Sequence, residues 1–288
     1  MSQRVEEKYR AIQRLTGDIK APEVGVALSD LFQECLRFLR KVKCVELESK
    51  IPGKQYFAFE LGKKISRAIN KAEYNPDSNE WDRLLKAVQA GDASAFSIQD
   101  DTRAVYAAAI SFCALIDLTK SGDQKTPGTF FEYLIGHLFA SRLGVNPRTR
   151  LPVLNLDMDT TLPTDFVFDL GANRAKFHLP IKTSTRERVI QVWAHQRVLD
   201  GVYGTGRFIG TPVILAETKT DTKKREVVEI CLPDQWRIYQ MHIAQLKRIY
   251  YLDVPVSYAR LNEVFPPLCV RPFGEYFVEV DTLISSPS

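Results

Sequence analysis

The stretch Leu162–Arg188, LPTDFVFDLGANRAKFHLPIKTSTRER, sets two short apolar runs either side of GANR and ends in a turn of alternating charge. Each run reads as a β-strand, because aromatic and β-branched residues dominate it and turn formers bound it. If GANR (171–174) closes a hairpin, positions near 163–165 lie opposite positions near 180–182. The carboxylate of Asp165 and the amine of Lys182 then share one end of the sheet. A surface Asp–Lys cross-strand pair has the same pattern, so its meaning depends on what else reaches that end.

Directly behind the lysine stands Ser184-Thr185-Arg186-Glu187-Arg188. Ser184 three residues before Glu187 matches a capping box at the start of a helix, which accounts for Glu187. It does not account for Arg186 and Arg188, since cations at a helix N-terminus oppose the macrodipole by roughly a few tenths of a kcal/mol. Arginine is the preferred bidentate partner of guanine O6/N7, and glutamate accepts from cytosine N4. The turn therefore suits G·C pairs in a major groove.

Upstream, TPGTFFEYLIGHLFASRLG reads as a helix with Thr126 as N-cap, Pro127 in its first turn and Gly144 as its stop. Glu132 falls on the flank of its apolar stripe (Phe131, Leu134, Ile135, Leu138, Phe139). Gly128 and Gly136 lie one turn away on either side, so this face is suited to a close approach. A boundary glutamate reaching for water has the same placement. Two acids and an amine from separate elements are what metal-dependent phosphodiester hydrolysis needs: oxygen ligands for Mg²⁺ from Asp165 and Glu132, and a lysine to orient water and offset charge on phosphorus.

Around this segment, the first 120 residues read mostly as helix: 2–15, 28–48, 78–91 with a Ser cap and a stop at Gly91, and a nearly all-apolar helix over 102–118. From 149 the pattern turns β-rich, with runs at 150–156, 164–170, 175–182 and 207–219, a helix over about 185–200, another strand over 225–233 and a late helix over 233–252. The expected fold class is α/β, a mixed sheet flanked by helices. One domain over 1–288 is expected, with a helical N-terminal part (1–120) and an α/β core (121–288).

The chain has 288 residues, a net charge of +4 and five scattered cysteines without a CxxC pair. Structural zinc is not indicated, free thiols in a reducing cytosol are the simplest reading, and no apolar leader is seen, so a cytoplasmic protein is expected. The histidines show no metal spacing, and GVYGTG (201–206) lacks the Lys-Ser/Thr of a phosphate loop. The basic run 219–226 reads as a solvated hairpin tip. Trp81 and the aromatics of KQYFAFE (54–60) are core residues by default, with stacking on an extruded base as the alternative.

PTD followed by IKTSTRER resembles the PD-(D/E)xK nuclease superfamily, and within it the type II restriction endonucleases that cut sites built on CC and GG. The resemblance rests on about 65 residues, 126–190. It implies a restriction-endonuclease-like fold and Mg²⁺-dependent, sequence-specific cleavage of double-stranded DNA at a G·C-rich palindrome. A homodimer working beside a methyltransferase that protects the host site is implied as well. By resemblance, Asp165 is the metal-binding aspartate, Lys182 the catalytic lysine and Glu132 the upstream-helix acid, while Arg186, Glu187 and Arg188 are the base readers. The sequence departs from the pattern at Pro180, where the motif's acid would stand. The displaced acid expected about thirteen residues after the lysine falls instead at His195-Gln196. Gln196, within the inward stripe of Val189, Val192, Trp193 and Leu199, is the candidate for that slot, a buried structural glutamine being the alternative. A structure-specific repair nuclease and a catalytically silent DNA-binding protein on the same scaffold remain the competing readings.

Overall fold

The computed structural model describes residues 3–153, 160–171, 174–186 and 189–285. Its N-terminal part opens with α1 (Gln3–Leu15), which buries Val5, Tyr9 and Ile12 at helical spacing, and α2 (Pro22–Leu39), started by a proline in its first turn. The helix expected over 28–48 stops at Leu39. Residues beyond it form β1 (Lys43–Ser49), where Val45 and Leu47 alternate with exposed neighbours, and β1 pairs antiparallel with β2 (Tyr56–Leu61). Short β3 (Lys64–Ile65) and β4 (Ile69–Asn70) pair with β2. Alternation of period two, not helical spacing, governs 43–49. Tyr56, Phe57, Phe59 and Trp81 are buried, so the aromatics that invited a base-stacking reading belong to the core.

Two helices follow. In α3 (Ser78–Ala90) the Asp77 side chain, not Ser78, caps the first turn by accepting from the Asn79 backbone N–H, and Gly91 ends the helix at φ 67°. α4 (Ile98–Thr119), capped by Ser97, has the length and apolarity of a membrane span, but 83% of its apolar window is buried inside the fold. It is the central core helix. α5 (Lys125–Leu143) begins one residue before Thr126. Asp123 does the capping there, accepting from the Thr126 N–H (2.9 Å) and hydroxyl (2.7 Å), while Gly144 is the expected left-handed stop.

The second half supplies β5 (Arg148–Pro152), β6 (Thr161–Phe168), β7 (Lys176–Leu179), β8 (Ile181–Lys182) and α6 (Val189–Tyr203). These are followed by β9 (Phe208–Gly210), β10 (Val213–Ile214), β11 (Thr218–Asp221), β12 (Glu226–Glu229), α7 (Pro233–His242), β13 (Ile249–Tyr251), α8 (Val256–Ala259), β14 (Val270–Pro272) and α9 (Glu275–Ser285). Two four-stranded ladders result, β5-β6-β7-β9 and β14-β13-β10-β8. Pro180 divides β7 from β8, and Thr211-Pro212 divides β9 from β10. Prolines lack the N–H that a ladder needs, yet their carbonyls still accept: Val213 N–H donates to Pro180 O and Tyr250 N–H to Pro212 O, both at 2.9 Å. The ladders thus continue one another as a curled mixed sheet. Residues 249–251 are fully buried between β10 and the edge strand β14, which corrects the long helix expected over 233–252 to a helix of ten residues followed by a parallel strand.

The β11–β12 hairpin leaves this sheet and joins the N-terminal strands, β12 pairing parallel with β1 through Glu48↔Glu226. Its tip is solvent-exposed as expected, with Asp221 accepting from the Lys223 and Lys224 N–H groups. One large cluster of buried side chains runs from Val5 and Ile12 through α4 and α5 to Phe168, Phe177 and Tyr250.

The two glycines flanking Glu132 differ. A Cβ at Gly136 would stand 2.6 Å from the Phe166 ring and 2.9 Å from Ile19, whereas one at Gly128 would meet nothing within 4 Å. Only Gly136 serves a close approach. Gly136→Ala should therefore destabilise the protein by about 1–3 kcal/mol through overpacking against β6. Gly128→Ala should be neutral or stabilising by up to about 1 kcal/mol, since it adds helix propensity. Urea denaturation of the two variants measures the contrast, and equal effects would contradict it.

Candidate functional site

The β6–β7 pairing places Phe166 opposite Leu179, Val167 opposite His178 and Phe168 opposite Phe177. Extended by one residue, this register sets Asp165 against Pro180, as the hairpin reading requires; the loop itself, at 172–173, lies outside the described residues. Asp165 Oδ2 accepts from the Ile181 backbone N–H at 2.7 Å and from Lys182 Nζ at 2.6 Å. Both side chains of the ion pair keep about a fifth of their surface open (21% and 23%), so the pair is supported by the fold yet reachable from solvent.

Glu132 arrives on α5 from the other side. Burial raises its carboxyl from 4.5 to about 7, the negative charge of Asp165 adds to this, and Lys182 works in the opposite direction. Three charged groups from three elements thus share one electrostatic environment. Burial and a like charge are two of the standard ways to hold a proton on a carboxylate.

On α6 the structure separates two neighbours. Gln196 is buried, and its amide nitrogen donates to Asp200 Oδ1 and Phe208 O, both at 3.0 Å. Two acceptors at that end fix it as the NH₂, so the other end is the carbonyl, which receives the Nδ1–H of buried His178 at 2.9 Å. A Cβ at Gly210 would lie 2.7 Å from this oxygen, so the tight packing there also depends on a glycine. Gln196 is thereby engaged in holding α6 onto the sheet, which is the buried structural alternative of the sequence reading. His195, half-buried, is the α6 side chain that experiences both Asp165 and Lys182. Burial lowers its pKa, Asp165 raises it and Lys182 lowers it further. Its ring centroid stands 6.4 Å from that of His178, itself pushed down to about 4 by full burial. A position inside a helix's apolar stripe is committed to packing. His195, beside the stripe, is the neighbour that interacts with Asp165 and Lys182.

Helix α6 runs from Val189 rather than 185, and Glu187, the other half of the expected capping box, lies outside the described residues. The hydroxyl of Ser184 donates to Glu217 Oε2 at 2.8 Å, a partner 33 residues away. Arg186 is exposed and has a positive φ of 33°. Glu187 and Arg188 lie outside the described residues. Glu217, buried at the base of this turn, was not singled out from the sequence, where it reads as one more polar residue at the end of TPVILAET.

Among the described residues, no group of three His, Cys, Asp or Glu side chains stands close enough to hold a metal ion alone. The donors at hand, Asp165 and Glu132, are hard oxygens. They fit Mg²⁺, which binds through one or two carboxylates and takes its remaining ligands from water and substrate phosphate.

The fold aligns over 97% of this chain with 97% of the crystal structure of the type IIP restriction endonuclease Kpn2I, at a TM-score of 0.79 and 23% sequence identity. The chain has the restriction-endonuclease fold. A more distant likeness, to a restriction endonuclease PspGI–substrate DNA complex, covers 70% of this chain and 80% of that one at a TM-score of 0.43 and 13% identity. No family model and no curated protein matches the sequence.

The elevated Glu132 carboxyl makes a prediction about stability. A carboxyl raised in the folded state binds its proton more tightly there than in the unfolded chain. Stability is therefore lost as pH climbs from the ordinary value of 4.5 to about 7, and it stays lost above that. Glu132→Gln cannot titrate. Without divalent ions it should gain on the wild type by roughly 1 kcal/mol between pH 4.5 and pH 8, a figure reduced to allow for partial solvation. Urea midpoints at the two pH values test this, and a gap that does not change with pH would contradict it.

Proposed function

We propose that this chain is a type II restriction endonuclease. It would use Mg²⁺ to hydrolyse double-stranded DNA at a G·C-rich palindrome with CC/GG half-sites, as a cytoplasmic homodimer, beside a methyltransferase that protects the same sites. The observation that carries the reading is the Asp165–Lys182 ion pair with the Glu132 carboxyl in its field, at one end of the curled sheet of this fold.

In this reading Asp165 and Glu132 hold the metal, which when bound offsets phosphate charge and lowers the pKa of coordinated water. To serve as a ligand Glu132 would have to be ionised, a form that a nearby cation would favour against its like-charged neighbour. Lys182, aligned by its bond to Asp165, orients the attacking water and stabilises charge on the phosphoryl oxygens. Arg186, Glu187 and Arg188 read the G·C pairs from the turn that begins four residues after the lysine, so recognition and chemistry share one chain segment. His195 stands where the displaced acid of relatives is expected. The residues that hold the metal are then Asp165 and Glu132, and Gln196 is left to its packing role.

Digestion of phage DNA with Mg²⁺ should give a fixed set of fragments whose end sequences share one palindrome. A smear would favour structure-dependent cleavage, and tight site-specific binding without cutting in Mg²⁺ or Mn²⁺ would favour a silent DNA-binding protein. Asp165→Ala and Lys182→Ala should each lower the cleavage rate by at least about 10²–10³-fold while preserving specific binding in Ca²⁺. Arg186→Ala should instead cost about 1–3 kcal/mol in discrimination against one-base-changed sites, read from cleavage rates on matched oligonucleotide duplexes. Unaltered discrimination in that variant would remove Arg186 from the reading head.

A further inference from the structure

The most heavily bonded carboxylate near the site belongs to a residue that the proposed chemistry leaves unused. Glu217 is 1% exposed. Its Oε1 accepts from the Thr185 backbone N–H (2.9 Å), the Thr185 hydroxyl (2.5 Å) and the Tyr251 hydroxyl (3.2 Å), and its Oε2 accepts from the Ser184 hydroxyl (2.8 Å). All four partners are neutral. Burying an anion among neutral groups is costly unless its lone pairs are filled, and only a carboxylate offers acceptor sites alone to four donors. Burial raises its pKa, and the hydrogen bonds from Thr185, Ser184 and Tyr251 pull the other way.

The placement of these bonds gives them a purpose. β8 and β10 run parallel, Ile214 beside Lys182, and the ladder continues with Leu215 N–H donating to Lys182 O (3.0 Å) and Ala216 N–H to Thr183 O (3.4 Å). At the next step the Glu217 side chain replaces the backbone as acceptor for Thr185. One residue further, Arg186 takes a φ of 33°, which a non-glycine residue holds only where its surroundings over-determine it. Tyr251, on the buried strand β13 beside β10, ties the same carboxylate to the sheet.

We infer that Glu217 is a positioning residue for base recognition: its buried carboxylate pins Ser184 and Thr185 and thereby fixes the turn that presents Arg186 to the DNA. This rests on the function proposed above. It assigns Glu217 to fidelity, through the place at which the arginine is held, and not to the cleavage step.

The test compares cleavage of the preferred site with cleavage of sites changed at one G·C pair, as a ratio of kcat/KM. A merely structural role lowers the amount of folded enzyme and scales both rates alike, so the ratio stays put. A positioning role changes the ratio. Glu217→Ala should lower it about tenfold or more, approaching Arg186→Ala, and the double variant should be no worse than Arg186→Ala alone. Glu217→Gln keeps one carbonyl acceptor but sets an NH₂ where the second oxygen accepts, so it should loosen the turn in part and lower the ratio by more than about twofold, and it serves if the alanine variant fails to fold. A ratio within about twofold of wild type in Glu217→Ala, where Arg186→Ala has lost discrimination, overturns the inference. Amide hydrogen exchange at Thr185 in the DNA-free protein separates the two proposals. If the wild type recognises no defined site, the functional reading fails. Faster Thr185 exchange in Glu217→Ala or Glu217→Gln then still supports the pinning, and unchanged exchange in both refutes it.

Discussion

A shift of one residue in the pairing of β6 with β7 would turn Asp165 to the opposite face of the sheet and part it from Lys182. The observed register is held by packing. Phe166, Phe168, Phe177 and Leu179 alternate onto the side that α5 covers, and slipping would expose them. Gly136 adds a steric condition, since the Phe166 ring sits where its side chain would be. The ion pair is thus the polar consequence of an apolar arrangement. The same helix that seals the aromatic face delivers Glu132 to the sheet's end. Fold and site share one set of contacts, so a change in the core beneath α5 is felt at the carboxylates.

Those carboxylates are arranged against their own electrostatics. A half-buried acid beside another acid is unfavourable, and the protein relieves it by holding a proton on Glu132 near neutral pH. Lys182 offsets only one negative charge and gives its short hydrogen bond to Asp165. On the proposed function, a divalent cation would supply the positive charge that an ionised Glu132 needs beyond Lys182. His195 bears on the same balance. Its pKa is lowered by burial, so it adds no negative charge to the pair of carboxylates.

The sequence disclosed most where local pattern and tertiary placement coincide. The two runs around GANR read as strands in the observed register because their side chains alternate and the two pair with each other across a short connection. α5 was legible from local pattern, down to its stop at Gly144. What could not be read was set by distant partners. Residues 43–49 look like the tail of a helix until β2 and the far-off β12 supply strand partners, and Ile249–Tyr251 becomes a strand only because β10 and β14 stand on either side. Ser184 also has a distant partner. Ser184 has the right spacing to Glu187, but Glu217 takes its hydroxyl from across the sheet. Gln196 was legible as inward-facing. That the inward place is spent on His178, Asp200 and Phe208 required the structure.

The segment 213–217 joins these observations. Its first residues run beside Ile181 and Lys182 and align the strand that ends in the lysine; its last, Glu217, anchors the turn behind it; and the chain then enters β11 in the sheet of the N-terminal strands. Lys182 and Arg186 are four residues apart, and both are supported from this one neighbouring stretch. A displacement of the turn by bound DNA would therefore be transmitted along hydrogen bonds that also align the lysine, with no need for movement between separate bodies. On the proposed function, short, bonded connections of this kind would favour a fixed geometric relation between the base edges read and the phosphate attacked. A site-specific cutter needs that relation, whereas a protein that only binds DNA has no use for it.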